Sequence, residues 1–205
     1  MFEKPSPYRN IYQTLKDNNN KAYVELNGPF PDNSETAWLW KGCYFWEGSL
    51  EIAKWWGLFS GHTDPNRFII CCSSYDYKGN DFFDIMGDTD HIKDFFEVAQ
   101  IVASKKKVDV QEILVCEVFS HLHRKVSEFD NTFKAIRAYT PNVKRGDKVR
   151  VFYSKRNSYS SLEKDPTVQL CVFNSTKKQF LKSDFKIIYP ESIMSSQQLE
   201  DIECV

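Results

Sequence analysis

Trp38-Leu-Trp-Lys-Gly-Cys-Tyr-Phe-Trp-Glu47, with Ala53-Lys-Trp-Trp56 close behind it, contains all five tryptophans of this 205-residue chain. Read as a strand, Lys41 to Glu47 sends Cys43, Phe45 and Glu47 to one face and Tyr44 with Trp46 to the other. Ser49 is placed to cap a helix in which Leu50, Ala53, Lys54, Trp56 and Gly57 recur on a helical period. A strand this aromatic, passing straight into a tryptophan-bearing helix, has two readings. It is either an aromatic core element or the wall of a pocket for a flat ligand.

Outward from this segment the periodicities alternate between helix and strand. Asn10 to Lys16 reads as a short helix, Ala22 to Leu26 as a strand, and Asn27 to Asn33 as a loop rich in Gly, Pro and Asn. Arg67 to Ser73 reads as a buried strand. Asp90 to Ala103, apolar at 92, 95, 96, 99 and 102, is an amphipathic helix, and Lys105-Lys-Lys107 suits its C-terminal end. Gln111 to Lys125 reads as a second helix. Lys148 to Tyr153, Pro166 to Phe173 and Phe185 to Tyr189 are late strands. This mixed order predicts an α+β domain over residues 5–190, with a polar, acidic tail at 191–205.

Composition bounds the function. The 27 basic and 28 acidic residues leave a formal charge of -1, which predicts no general attraction to nucleic acid or anionic membrane. Six cysteines, at 43, 71, 72, 116, 171 and 204, form no Cys-x-x-Cys pair and sit mostly in apolar runs. With no apolar leader and no run long enough to span a bilayer, the expectation is a cytoplasmic protein in a reducing compartment. The glycine-rich phosphate loop, the nucleophile elbow and the His-Glu-x-x-His helix are all missing from the sequence. His121 and His123, two apart on a helix, point away from each other, so no metal site is expected. The polar loop Tyr153 to Asp165, rich in cations and hydroxyls, is a candidate substrate loop or a plain linker.

Several segments in order carry a resemblance. Residues 38–56 resemble a run in uncharacterised bacterial proteins of about this length, whose pattern is Trp-Leu-Gly-His-Gly-Ile-Tyr-Phe-Trp-Glu followed by a tryptophan-bearing helix. Gly79 to Ile85, Phe129 to Arg137 and Thr167-Val-Gln-Leu-Cys-Val172 are similar to later segments of the same group. Those proteins look like members of the ADP-ribosyltransferase-like fold, the fold of diphtheria-toxin-type and PARP-type enzymes.

The resemblance implies a split, bent β-sheet with flanking helices that grips NAD+ in a cleft. It implies NAD+-dependent ADP-ribosyl transfer to a macromolecule, protein or nucleic acid, as in a bacterial toxin, effector or defence protein. A catalytically inactive NAD+ or ADP-ribose binding module and a protein-interaction domain are the alternatives. Carried over by position, Tyr44, with Phe45 or Trp46 behind it, is the aromatic wall for nicotinamide, and Gly42 of the same run belongs to the cofactor site. Arg9, just before the short helical stretch, is the candidate to hold the adenosine side, the place an early strand has in that fold. Gln169 on a late strand touches the nicotinamide ribose, where active transferases usually carry Glu. Cleaving the nicotinamide bond builds positive charge on the ribose, which a carboxylate stabilises and a neutral amide does not. Glu47 or Glu163 can supply that carboxylate only if the fold brings one into the cleft. Residues 153–165 would recognise the acceptor.

Overall fold

A computed structural model describes residues 6–35, 37–59, 67–140 and 167–190. It is a mixed α+β structure. In chain order the strands are β1 (Tyr8–Lys16), β2 (Cys43–Glu47), β3 (Phe68–Asp76), β4 (Phe82–Asp84), β5 (Ala135–Tyr139), β6 (Val168–Val172) and β7 (Lys186–Tyr189). The helices are α1 (Lys21–Asn27), α2 (Leu50–Phe59), α3 (Thr89–Lys106), α4 (Val115–Lys125), α5 (Phe129–Thr132) and α6 (Lys177–Phe180). The strands form one open sheet in the order β4-β5-β6-β2-β1-β3-β7, antiparallel throughout except for the β4-β5 pair.

The sheet has a seam. β1 pairs with β3 through nine register pairs but meets β2 only at Ile11↔Glu47 and Tyr12↔Trp46. Past that point β2 ends at Gly48, whose φ of +72° suits glycine and turns the chain into α2. The Ser49 hydroxyl accepts from the Ile52 amide, as its capping position predicts.

Alternation along β2 falls as its sequence predicts. Tyr44 and Trp46 share one face with Ile136, Ala138, Gln169 and Cys171, whereas Cys43, Phe45 and Glu47 share the other with Leu170 and Val172. The first face is covered by α3, α4 and α5 over one half of the sheet, with Phe83, Phe95, Val118, Phe119 and Phe129 in the interior. Over the other half α2 covers it, packing Ala53 against Trp46, Phe68 and Ile70. On the second face α1 and α6 contribute Val24 and Phe180 to a core with Phe45, Ile69, Tyr75 and Leu170.

Three expected elements differ. Residues 10–16 are strand, not helix, because β3 offers them a complete ladder. The buried Gln13 fits there by bonding both ways to the backbone of Phe30, with Nε2 donating to the carbonyl at 2.8 Å and Oε1 accepting from the amide at 3.0 Å. Residues 22–26 are helix, not strand; only Val24 turns inward, and Tyr23 and Leu26 stay exposed. The expected helix from Gln111 to Lys125 is interrupted. A 3-10 turn (Val110–Glu112) gives way to extended Ile113, fully buried, before α4 begins with Glu117 capping the Leu114 amide. The expected strand at 148–153, the loop at 153–165, Glu163 and the tail at 191–205 lie outside the described residues.

Candidate functional site

Glu47 closes β2 as a carboxylate inside an apolar face, 4% exposed in its side chain. Ions so placed persist only with partners, and the fold supplies three. Arg137 of β5 grips it bidentately, Nε to Oε2 at 2.6 Å and Nη2 to Oε1 at 3.0 Å. Tyr75 of β3 donates its hydroxyl to Oε2 at 2.9 Å, and Nη1 of Arg9 on β1 donates to Oε1. Arg137 reaches on to Asp84 of β4 at 2.9 Å. One ionic network thus ties β1, β2, β3, β4 and β5 together across the seam.

The electrostatics follow from this wiring. Burial pushes the Glu47 carboxyl up, but the bonds from Arg137, Arg9 and Tyr75 outweigh it and hold the group below the ordinary carboxylate range. Tyr75 is pushed well up, by burial first and then by the Glu47 charge. Four donors occupy the two oxygens of Glu47, which fills the acceptor positions a carboxylate has. Arg9 is the exchangeable partner: its side chain is 42% exposed, and its guanidinium also lies 4.0 Å from the centre of the Tyr77 ring.

An open cavity of about 630 Å³ lies where β2 ends. Arg9, Glu47 and Arg137 enter its wall from one face of the sheet, and Tyr8, Asn10 and Tyr12 from the other, with Ser49 at the start of α2. Its size is that of a ligand site, and its accessible donors are the guanidinium of Arg9 and hydroxyls of tyrosine and serine.

The sequence-derived candidates therefore divide. Arg9 and Glu47 meet in the cavity wall. Tyr44, Trp46 and Gln169 lie on the opposite face of the sheet from both. There the Tyr44 hydroxyl accepts from the amides of Leu39 and Trp40 at 3.1 Å each and donates to the Trp40 carbonyl at 2.8 Å. Gln169 accepts from the Trp38 indole at 2.6 Å. Both thus pin the loop ahead of β2. Trp46 is buried, with its ring 5.6 Å from that of Trp56 in an edge-on contact. Gly42 is explained by packing: a Cβ there would stand 2.6 Å from the Val172 carbonyl oxygen and 2.8 Å from Sγ of Cys171.

Tyr75, Asp84 and Arg137 escape the sequence reading. The available signal was a lone cation in the apolar run Ala135-Ile-Arg-Ala-Tyr139. A buried strand cation demands a carboxylate, although the sequence alone does not say which one.

Of the two histidines on α4, His123 is enclosed by aromatic rings. His123 is 6% exposed in its side chain, stacked on Trp40 at 4.2 Å and flanked edge-on by Phe129 and Phe173. Its Nδ1–H donates to the Asp130 carboxylate, and its buried Nε2 has no hydrogen-bond partner among the described residues. Burial holds its pKa below the ordinary histidine value, with Asp130 pulling the other way. A depressed histidine pKa means the folded state disfavours the proton. The stabilisation is complete above about pH 6.5 and is lost as pH falls below it toward the folded value. Denaturant titrations at pH 7.5 and pH 5 should show His123→Phe losing less stability on acidification than the parent. Equal losses would refute this.

Among the described residues no cysteine forms a disulfide, and burial pushes the Cys43 thiol up to about 11 and Cys72 up to about 12. Among the described residues no cluster of three or more His, Cys, Asp or Glu is arranged to hold a metal, and no helix is long and apolar enough to cross a membrane. Compared with protein-family models, curated proteins and solved structures, the chain matches none of them.

Proposed function

We propose that this chain is an NAD+-handling domain of the ADP-ribosyltransferase-like kind. It binds the dinucleotide in the cavity beside Arg9 and transfers ADP-ribose to a macromolecular acceptor, in the manner of a bacterial toxin, effector or defence protein. The supporting observation is the adjacency of β6, β2 and β1. Arg9 of β1, Glu47 of β2 and Val168 of β6 line the open cavity at the end these strands share, while Tyr44 and Gln169 of the same strands face the other side of the sheet. The two-pair contact between β1 and β2 is where a split sheet would part. The Gly42-Cys-Tyr-Phe45 run opens β2, which turns at Gly48 into α2.

Chemistry at this site turns on Arg9. A pyrophosphate that takes the Arg9 guanidinium removes one of the two donors on Oε1 of Glu47, Nη2 of Arg137 being the other, and leaves that oxygen a lone pair to face a developing oxocarbenium ion. A second reading has a specific observation in its favour. The oxygens of Glu47 are fully engaged, and the late-strand position is the amide Gln169, which together suit a module that binds NAD+ or ADP-ribose without cleaving it.

Calorimetry with NAD+ and with ADP-ribose, run beside an assay for released nicotinamide, separates the two. Binding with release supports transfer, and binding without release selects the module. Both require Arg9→Gln to weaken binding by about tenfold, the scale of one charge-assisted hydrogen bond. No binding of either ligand at millimolar concentration sinks both readings.

A further inference from the structure

The loop ahead of β2 faces a second cavity, of about 300 Å³, formed against α4. Its residues are distinct from those of the Arg9 cavity. Trp40 lines it on a rigid mount. Tyr44 makes three hydrogen bonds to the loop backbone, and the Cys171 thiol donates to the Trp40 carbonyl at 3.4 Å. His123 stacks against the indole with 14° between the rings. The plane of the indole is therefore set before any ligand arrives, which lowers the entropic cost of stacking a second ring on it.

The charged groups around the cavity are unequal in what they have free. Glu117 is engaged by Lys106 at 2.6 Å and by the Leu114 amide at 3.0 Å. Lys41 and Arg124 have no ion-pair partner among the described residues, and neither does Glu35. Two unpaired cations thus face one unpaired carboxylate, beside an aromatic plane, in a space at the small end of ligand sites.

We propose that this cavity binds a small planar aromatic anion, its ring stacked on Trp40 and its anionic group held by Lys41 and Arg124. Charged rings of this kind come from two sources, nucleoside monophosphates and aromatic carboxylates. The shared chemistry is a ring with one short anionic arm, and a dinucleotide is too large for the space.

The test is calorimetry on the full chain with adenosine 5′-monophosphate, benzoate and neutral adenosine as probes. The expected result is millimolar or tighter binding of at least one anion, about tenfold weaker binding of adenosine, and weakening of the anion by about tenfold in Arg124→Gln with Lys41→Gln. Ser120→Trp, which fills the cavity from α4, should abolish binding; should that variant not fold, the surface pair decides alone. Preference for the monophosphate or for benzoate identifies the source. Absence of binding by both anions overturns the proposal. So does binding that survives the Arg124 and Lys41 substitutions but is lost in Arg9→Gln, because the probe then occupies the other cavity.

Discussion

Glu47→Ala should cost about 3–5 kcal/mol of folding stability at neutral pH, because it leaves Arg137 buried without its main counter-charge. Arg137 is 12% exposed in its side chain and keeps only Asp84 once Glu47 is gone. The loss should show as a lower denaturation midpoint at unchanged slope. Removing both charges, with Glu47→Leu and Arg137→Met together, should recover much of the loss, since an apolar pair of similar volume replaces the ions. A loss below about 1 kcal/mol would place Glu47 among exposed pairs and contradict the network. The pH dependence has a definite sign. The folded-state pKa of Glu47 is depressed, so its stabilisation is present above the ordinary carboxylate value of about 4.3 and lost as pH falls through the folded value. In Glu47→Ala that acid-side loss should be reduced.

Phe83→Ala should be comparably severe, about 3–5 kcal/mol, by the cost of emptying a buried aromatic site. Phe83 is 2% exposed, on β4, a strand of three residues. Its ring stacks on His91 at 4.6 Å and meets Phe119, Phe129 and Phe133 edge-on. These contacts pack side chains of α3, α4 and α5 around one ring at the edge of the sheet, so its loss opens a cavity among several elements. The near-ultraviolet circular dichroism should weaken along with stability. Retention of the parent midpoint would mean that the helices are held independently of β4.

The elements legible in the sequence were those whose period matched their burial. β2 is an apolar run buried on both faces, and α3 keeps its apolar stripe from Ile92 to Ala103, over about three turns. β1 was hidden by Gln13, a polar residue at an inward strand position that is satisfied only by the distant backbone of Phe30. Ile11 and Leu15, four apart, fit a helix equally well from sequence alone. For the site, Arg9 and Glu47 were found separately, but their contact depends on the β1-β2 register. Tyr75 and Arg137 arrive through two further pairings, β1 with β3 and β5 with β6. Tyr44 and Gln169 were picked for their residue types, which serve a ligand and a loop backbone equally well.

The seam between β1 and β2 also constrains the order in which the chain can assemble. β1 and β3 lie within the first 76 residues and hold each other over nine pairs, so that half can form as soon as they are free. β2 belongs to the other half, and its second neighbour β6 lies far later in the chain, with Trp46 opposite Gln169. During synthesis β2 therefore waits with one edge open until residues 168–172 emerge. The aromatic run that dominates the sequence is open to mispairing in that interval, as β3 is until β7 at residues 186–189 emerges. Glu47, a charge at the end of an otherwise apolar strand, is the residue in β2 that resists pairing with the wrong neighbour.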